Sequence, residues 1–382
     1  MNFRIRTTLA ACLAALCAVA MADPASTPGA TPAAVPAPAA VVAPGDRDRD
    51  KVIHGRDRNV ADRLGTRDQS AAALASGAAA ESAAACDSAC LQGLVDTYLR
   101  AVVAHDPKLL PLADPARFTE MGQELALGDG FWNTASGVGG LQLYALDPVM
   151  QQAGFIGTLR EFDNVVLMAL RLRVQNRRIS EIETLFYRKG TGPAWSDAGL
   201  GEANARGVAD VAGFAPLPAA QRAPREQLIN VANTWLSALE HNDGHTDSKD
   251  WPVAGDCERF INGARVTGNP KVQIGGPGFN LAALDCRQQL RSGWYAINTR
   301  VHHRRVVAVD PDRGLVFVWA NIDQAGQKSL QLANGKVLAT PALQQPTGTA
   351  AVFALRIEGG LVKRVLELDA RTPYHMDPGW NE

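Results

Sequence analysis

The sequence predicts an α+β protein in which one module, helices packed on a curved antiparallel sheet, occurs twice in tandem. Three observations predict it. Apolar residues recur at helical spacing in two places, 94–102 and 228–239. Each helical stretch is followed by a series of strand-like runs, and the two series match one another in detail.

Ahead of the first module, Arg4 and Arg6 precede an apolar run through Leu9, Leu13, Leu16 and Val19. Ala20-Met21-Ala22 then fits a small-x-small cleavage pattern, so residues 1–22 read as a secretory signal. The run is shorter than the ~20 residues that span a bilayer. A lipoprotein reading at Cys12 is the alternative, but it leaves almost no apolar region before the cleavage point. The mature protein is therefore expected in the periplasm or outside the cell. Residues 23–85 begin rich in Ala and Pro and continue as alternating acids and bases (DRDRDK, GRDRN). Such a segment cannot offset the entropy of ordering, and it reads as a disordered linker.

The first module, 86–189, opens with a helix whose stripe is Leu94, Val95, Tyr98, Leu99 and Val102, capped by Asp87 or Ser88. Strand-like runs follow at 141–146, 154–162, 165–174 and 179–187. Residues 190–223 join the copies. The second module, 224–382, opens near Pro224 with Leu228, Ala232, Trp235, Leu236 and Leu239, followed by runs at 294–309, 314–323, 350–358 and 361–369. Asp163-Asn164 and Gly359-Gly360 sit where tight hairpins require turn residues. Thr97-Tyr98-Leu99 lines up with Thr234-Trp235-Leu236, Arg117-Phe118 with Arg259-Phe260, Asp147-Pro148 with Asp310-Pro311, and Ile182 with Val365. The offset grows only across loops 267–280 and 324–348, as expected of a duplication with insertions.

The opening helix ending at His105-Asp106, then RFTEMGQEL, GFWNTASGVGGLQLYALDP and the hairpin ALRLRVQNRRISEIETL resemble the nuclear-transport-factor-2-like superfamily, also called SnoaL-like or ketosteroid-isomerase-like. More narrowly, residues 86–382 are similar to a secreted, uncharacterised family with two such copies. The resemblance implies two cone-shaped modules, each a bent sheet wrapped around helices with a pocket at its wide end. It implies no single chemistry, because the superfamily holds isomerases, dehydratases, cyclases and non-catalytic carriers.

Four cysteines remain after the signal: Cys86, Cys90, Cys257 and Cys286. Their even number suits an oxidising compartment, and the short separations favour Cys86–Cys90 and Cys257–Cys286. In the chain-entropy description the longer loop stabilises by roughly 3–4 kcal/mol. Zinc is disfavoured, since no pair has the two-residue spacing of a knuckle. A formal net charge of -1 leaves no electrostatic footprint for nucleic acid or anionic membranes. No nucleophile elbow, phosphate loop, dinucleotide fingerprint or HExxH stretch is present, so no cofactor or metal is expected.

Candidate chemistry lies in NTRVHHRRVVAVDPDRGLVFVWANID. Unbroken alternation around a symmetrical turn puts Val301, His303, Arg305, Val307, Val309, Leu315, Phe317, Trp319, Asn321 and Asp323 on one face. His303 is then a general base oriented by Asp323, Arg305 a partner for an anionic substrate, Trp319 a wall and Asn321 a polar contact. Asn262 is a further substrate contact. Gly140 and Gln142 stand opposite 303 and 305 in the first copy, so the second module is expected to hold the working pocket. The alternative is a solvated basic edge that blocks strand pairing. Glu120 and Glu258 are expected to cap or turn the backbone near a cone mouth. His241, Asp243, His245 and Asp247 read as an ordinary polar loop, Glu181 and Glu183 as a solvent face, and Tyr374-His375-Met376 as a segment able to fold over a mouth. The function expected is a cofactor-independent lyase, dehydratase or isomerase acting on a small polar or anionic molecule. The competing expectation is a non-catalytic binding or envelope-associated module. The two modules can pack as a pseudo-dimer; oligomeric state is left open.

Overall fold

A computed structural model describes residues 85–245 and 251–380. The expected signal, nearly all of the expected linker and Asp247 lie outside the described residues. Helix α1, Ser88–Val103, forms because its stripe recurs every three to four residues, burying Leu91, Leu94, Val95, Tyr98, Leu99 and Val102. Asp87 caps it by accepting the Cys90 N–H at 2.8 Å. Six strands follow: β1 Leu112–Glu120, β2 Gln123–Glu124, β3 Ala135–Asp147, β4 Gln152–Glu161, β5 Asn164–Gln175 and β6 Arg178–Tyr187. They form one mixed sheet in the order β2-β1-β6-β5-β4-β3.

Residues 190–223, read from sequence only as a joiner, contain a further helix, α2, Ala194–Ala212. Its apolar content is modest and its glycines interrupt the pattern, which is why periodicity did not reveal it. Helix α3, Arg225–Ala238, begins directly after Pro224, and the short α4 spans Cys286–Arg291. The second sheet comprises β7 Val253–Ile261, β8 Ala264–Arg265, β9 Arg300–Asp310, β10 Leu315–Gln324, β13 Thr347–Glu358 and β14 Leu361–Thr372. The insertion between β10 and β13 makes a separate hairpin of β11 Ser329–Gln331 and β12 Val337–Ala339. The order β8-β7-β14-β13-β10-β9 repeats that of the first sheet. Each sheet is antiparallel except for one parallel pair, β1 with β6 and β7 with β14. The all-antiparallel expectation is corrected by those first strands, which carry too little alternation to stand out. The run expected from 294 is a 3-10 turn, Trp294–Ile297, before β9.

Alternation sorts each sheet into two faces. In the first sheet Val166, Met168, Leu170 and Leu172 pack under α1, whereas Leu167 and Ala169 point the other way. In the second, Val316, Val318 and Ala320 pack toward α3 and α4, whereas Leu315, Phe317 and Trp319 point away. The faces turned away meet one another: Leu143, Ile156, Leu167 and Leu185 share one core with Val307, Phe317, Val352 and Leu368. Approach is close at Gly154, where an added Cβ would stand 2.3 Å from the Phe317 ring. The structure pairs Cys86 with Cys90 and Cys257 with Cys286.

A buried ion cluster crosses this interface. Arg305 donates to both Glu183 oxygens at 2.8 and 2.6 Å, and Arg171 donates to Glu183 and Glu181 at 2.8 and 2.7 Å. Arg171, Glu183 and Arg305 are buried. Glu181 and Glu183, expected on a solvent face, instead lie on the face that the second sheet covers. Breaking a buried pair leaves an uncompensated charge, which typically costs 3–5 kcal/mol. Glu183→Ala should therefore lose about 3–5 kcal/mol of unfolding free energy in urea titrations; a loss under about 1 kcal/mol, the scale of an exposed pair, would show that the cluster does not hold the sheets.

Candidate functional site

Strands β9 and β10 do not keep the unbroken register that alternation assumed. Leu315 pairs with Asp310 and Phe317 with Ala308, but Val318 pairs with Val306 and Trp319 with Arg305. A second irregularity then sets Asn321 opposite His302. Each bulge flips the following side chains to the other face. The face expected from sequence therefore keeps Arg305 and Val307 with Trp319 but loses Val301, His303 and Val309. His303 is exposed, with a φ of 48°.

His302 takes the place expected for His303. Its Nε2 lies 2.9 Å from Asp323 Oδ2. Burial, outweighing Asp323, lowers the His302 pKa and favours its neutral form. The carboxyl-terminal segment covers the place. His375 N–H donates to Asp323 Oδ1 at 3.2 Å, and Asn321 donates to the Met376 carbonyl at 3.1 Å. Arg305 and Trp319 face the first sheet. Tyr374-His375-Met376 covers this polar end, and Trp380 beyond it donates to Thr119 Oγ1 beneath Arg117 and Arg171.

Other expected positions also find structural partners. Gly140 is not an indifferent position: its N–H donates to Asn204 Oδ1 at 2.8 Å, and a Cβ there would lie 2.3 Å from the Asn204 carbonyl of α2. Glu120 accepts the Phe131 N–H at 2.9 Å. Glu258 pairs with Arg364 and Arg265. His241 donates its N–H to the Asn298 carbonyl, and Asp243 accepts the His245 N–H. Among the described residues no group of three or more His, Cys, Asp or Glu is arranged to hold a metal. Asn262, expected to touch substrate, spends both ends of its side chain on the Asp369 main chain, at 2.8 and 3.1 Å.

That contact leads to a partly enclosed site. On the helix side of the second sheet lies a cavity of about 140 Å³. Strand β7 supplies Arg259, β14 supplies Glu367 and Asp369, the turn before β9 supplies Trp294 and Tyr295, and α2 supplies Trp195. Arg259 donates to Glu367 through Nε at 2.7 Å and through its terminal nitrogen at 2.9 Å. Its other terminal nitrogen donates to the Tyr295 hydroxyl. The Cys257–Cys286 bridge ties the strand carrying Arg259 to α4, where Gln289 accepts from Tyr295 at 3.4 Å. A larger groove of about 470 Å³, lined by Asp96, Arg100 and Tyr144, lies open on the first half and holds no buried ion pair.

The electrostatics of the cavity set its chemistry. Burial first, then the neighbouring Glu367 charge, pushes the Asp369 carboxyl well above the ordinary carboxylate range, against the opposing effect of Arg259. A hydrogen bond to Glu367 acts in the same direction. The side chain is partly buried, and its Oδ1 is buried without a hydrogen-bond partner. Burial likewise raises Tyr295, which stays a phenol, and the Glu367 carboxylate keeps Arg259 charged.

The first half has no such site. Phe118 pairs with Ile182 and Arg259 with Val365, and all but Arg259 belong to the helix-side cores of their own sheets. By face, Phe118 stands where the second half has Arg259, and Thr184 and Phe186 stand where it has Glu367 and Asp369. The sequence match of Arg117-Phe118 with Arg259-Phe260 is thus one residue out of phase, since Phe260 faces the first sheet. Phe118, Phe131 and Phe186 fill the first interior, the last two with ring centroids 4.5 Å apart.

Comparison with known proteins adds little to this geometry. The model of a family described as a domain of unknown function (DUF8021) matches residues 221–368. No curated protein matches. Among solved structures the chain is similar to AclR, a candidate hydroxylase from Streptomyces galilaeus, at 13% identity and a TM-score of 0.26, covering 39% of this chain and 83% of that one. A candidate ketosteroid isomerase from Kribbella flavida is similar at 16% identity and a TM-score of 0.22, covering 40% and 84%. The C. albicans Mtr2-Mex67 M domain complex gives 12% identity and a TM-score of 0.24, covering 40% and 99%. At such scores none of these likenesses bears on the fold or the site.

The Asp369 shift has a consequence for stability. A carboxyl whose pKa is higher in the folded than in the unfolded chain contributes stability that is full below the unfolded value, about 4, and is lost as pH rises through the folded value. Asp369→Asn cannot ionise, so urea titrations of this variant should show a shallower decline from about pH 4 to neutrality than the unaltered protein. Parallel declines would mean that Asp369 ionises as freely in the folded chain as in the unfolded one.

Proposed function

We propose that residues 224–382 form a nuclear-transport-factor-2-like module that binds a small molecule in this cavity and transfers a proton to or from it without a cofactor. The reaction class is that of a lyase, dehydratase or isomerase, carried by Asp369 and not by His303 and Asp323. The observation that supports the reading is a carboxyl whose pKa is raised by burial and by the Glu367 charge, beside the Arg259–Glu367 ion pair on the wall of this cavity. General acids work best when their pKa lies near the operating pH, and burial beside a like charge is the usual way to raise a carboxyl there. Asp369 can deliver its proton to a departing oxygen or a forming carbon–hydrogen bond. Arg259 fixes Glu367, and burial with the Glu367 charge raises the Asp369 pKa. Asn262 holds the strand position of Asp369.

In the same reading residues 86–189 form a second such module with an aromatic-filled interior, whose role is structural. The repeated strand order supports a tandem arrangement, and face-to-face sheets support a pseudo-dimer within one chain. The signal-like residues 1–22 and two disulfides support a periplasmic or extracellular location. No helix among the described residues is long and apolar enough to cross a membrane.

Binding without turnover is the second reading. It is favoured by the pairing of Arg259 with Glu367 and Tyr295, which engages the ionised groups of this cavity with one another. Proton exchange separates the two. In D2O the protein should accelerate deuterium incorporation into, or loss of water from, at least one member of a panel of six-membered-ring ketones and hydroxyketones. Removing the acid should reduce the rate at least about 100-fold in Asp369→Asn, the lower end of what a general acid or base contributes. Binding of panel members with no exchange above the buffer rate would leave the carrier reading in its place.

A further inference from the structure

Aromatic rings fill the interior of the first half, but an open groove of about 470 Å³ runs between α1 and the edge strand β3. That volume falls within the ~300–1,000 Å³ of pockets that take small organic ligands. Leu99, Val103 and Val138 give the groove apolar walls. Its polar groups are Asp96, Arg100, Gln142 and Tyr144. None of these four is buried, so a molecule in the groove can reach them.

Three oxygen acceptors stand side by side in it. The Tyr144 hydroxyl donates its proton to Asp96 Oδ1 at 2.9 Å, so the phenol oxygen offers the groove its lone pairs. Burial, with the Asp96 carboxylate beside it, raises the Tyr144 pKa and keeps that proton on the phenol. Gln142 Oε1 lies 3.3 Å from the same phenol oxygen, held there by the Gln142 amide, which donates to the Gly139 carbonyl at 3.0 Å. Asp96 enters no ion pair among the described residues and keeps Oδ2 as a further acceptor. A primary ammonium carries three N–H donors and one positive charge, which suits a carboxylate flanked by two neutral acceptors.

A cation stands one helical turn further on. Arg100 is exposed, and its partner among the described residues is the Thr97 hydroxyl at 2.8 Å. Opposite charges four residues apart on a helix commonly pair. Asp96 and Arg100 form no ion pair, so each charge is left without a counter-charge. Their backbone positions lie about 6 Å apart along the helix axis. A simple amine drawn to Asp96 meets a like charge at Arg100, and a simple carboxylate drawn to Arg100 meets one at Asp96. A molecule with both charges a few bonds apart satisfies both side chains.

We infer that this groove binds a free amino acid with an apolar side chain. Its ammonium group meets Asp96, Tyr144 and Gln142, its carboxylate meets Arg100, and its side chain lies along Leu99, Val103 and Val138. The site is separate from the cavity of the second half and does not rest on the reading of that cavity.

Calorimetric titration with three ligands tests this: phenylalanine, phenethylamine, which lacks the carboxylate, and 3-phenylpropanoate, which lacks the amine. Phenylalanine should bind the unaltered protein at least about fivefold more tightly than either of the others, equivalent to ~1 kcal/mol, the upper end for an exposed ion pair. Asp96→Asn should weaken phenylalanine and phenethylamine by about fivefold or more without weakening 3-phenylpropanoate. Arg100→Gln should bring phenylalanine down to the level of phenethylamine. Phenylalanine binding no tighter than the other two, or binding that neither substitution changes, would overturn the assignment. So would the absence of phenylalanine binding at about 10 mM. The three-ligand comparison in the unaltered protein decides the matter even if a variant does not fold.

Discussion

Packing of the two sheets against each other is the constraint on which the rest of the structure depends. One face of each sheet is apolar and would be a liability in water; each covers the other, with Gly154 allowing the Phe317 ring to approach the backbone. At one end of this core the apolar surface gives way to Arg171, Glu183 and Arg305. A charge cluster of this kind adds little net stability compared with an apolar packing, but it penalises any misregistered arrangement that leaves one member unpaired. The crossing bond from Arg305 to Glu183 ties the two halves of the chain in a single relative position. The segment carrying Gly379 and Trp380 reinforces it by reaching from the last strand onto the first sheet.

Because those faces are occupied, only the helix-side faces can enclose a cavity, and the two halves use theirs differently. In the first half, Phe118, Phe131 and Phe186 fill the space. In the second, Arg259, Glu367 and Asp369 occupy corresponding strand positions, and their shorter or polar side chains leave room. Aromatic packing is worth more stability than a hollow lined with charge, so the same topology gives one half made for rigidity and one half with space for a guest. Helix α2 belongs to this division of labour. Its glycines let it lie against β3 and β8, and Trp195 from its first turn closes the cavity of the second half.

The polar groups of the cavity form a chain in which each member sets the state of the next. Gln289, on a helix fastened by the Cys257–Cys286 bridge, accepts from Tyr295; Tyr295 accepts from Arg259; Arg259 holds Glu367; burial, with the Glu367 charge, raises the Asp369 pKa. Asn262 holds the Asp369 backbone from the strand end, in a left-handed conformation that Asn tolerates better than most residues. Burial of this chain is what separates Asp369 from an ordinary surface carboxyl.

Sequence alone determined the features that rest on local pattern. The α+β class, both long helices with striped faces, the hairpin at Gly359-Gly360, the Cys86–Cys90 and Cys257–Cys286 pairs and the correspondence of the two halves all follow from periodicity, turn chemistry and short separations. Tertiary structure decided the rest, for physical reasons that pattern does not encode. The parallel pairs β1 with β6 and β7 with β14 depend on partners more than sixty residues away, and their strands alternate weakly. Two bulges in β9 against β10 break the period of two, which moved His303 to solvent and put His302 beside Asp323. Arg305 looked available for a ligand because its partner, Glu183, lies in the other half of the chain. Arg259, Glu367 and Asp369 carried no motif: a carboxyl becomes a candidate acid only when folding buries it beside another charge, and the sequence spaces these groups over more than a hundred residues. A pattern of two or of 3.6 assigns a side chain to a face, but what that face meets is fixed only when the chain closes on itself.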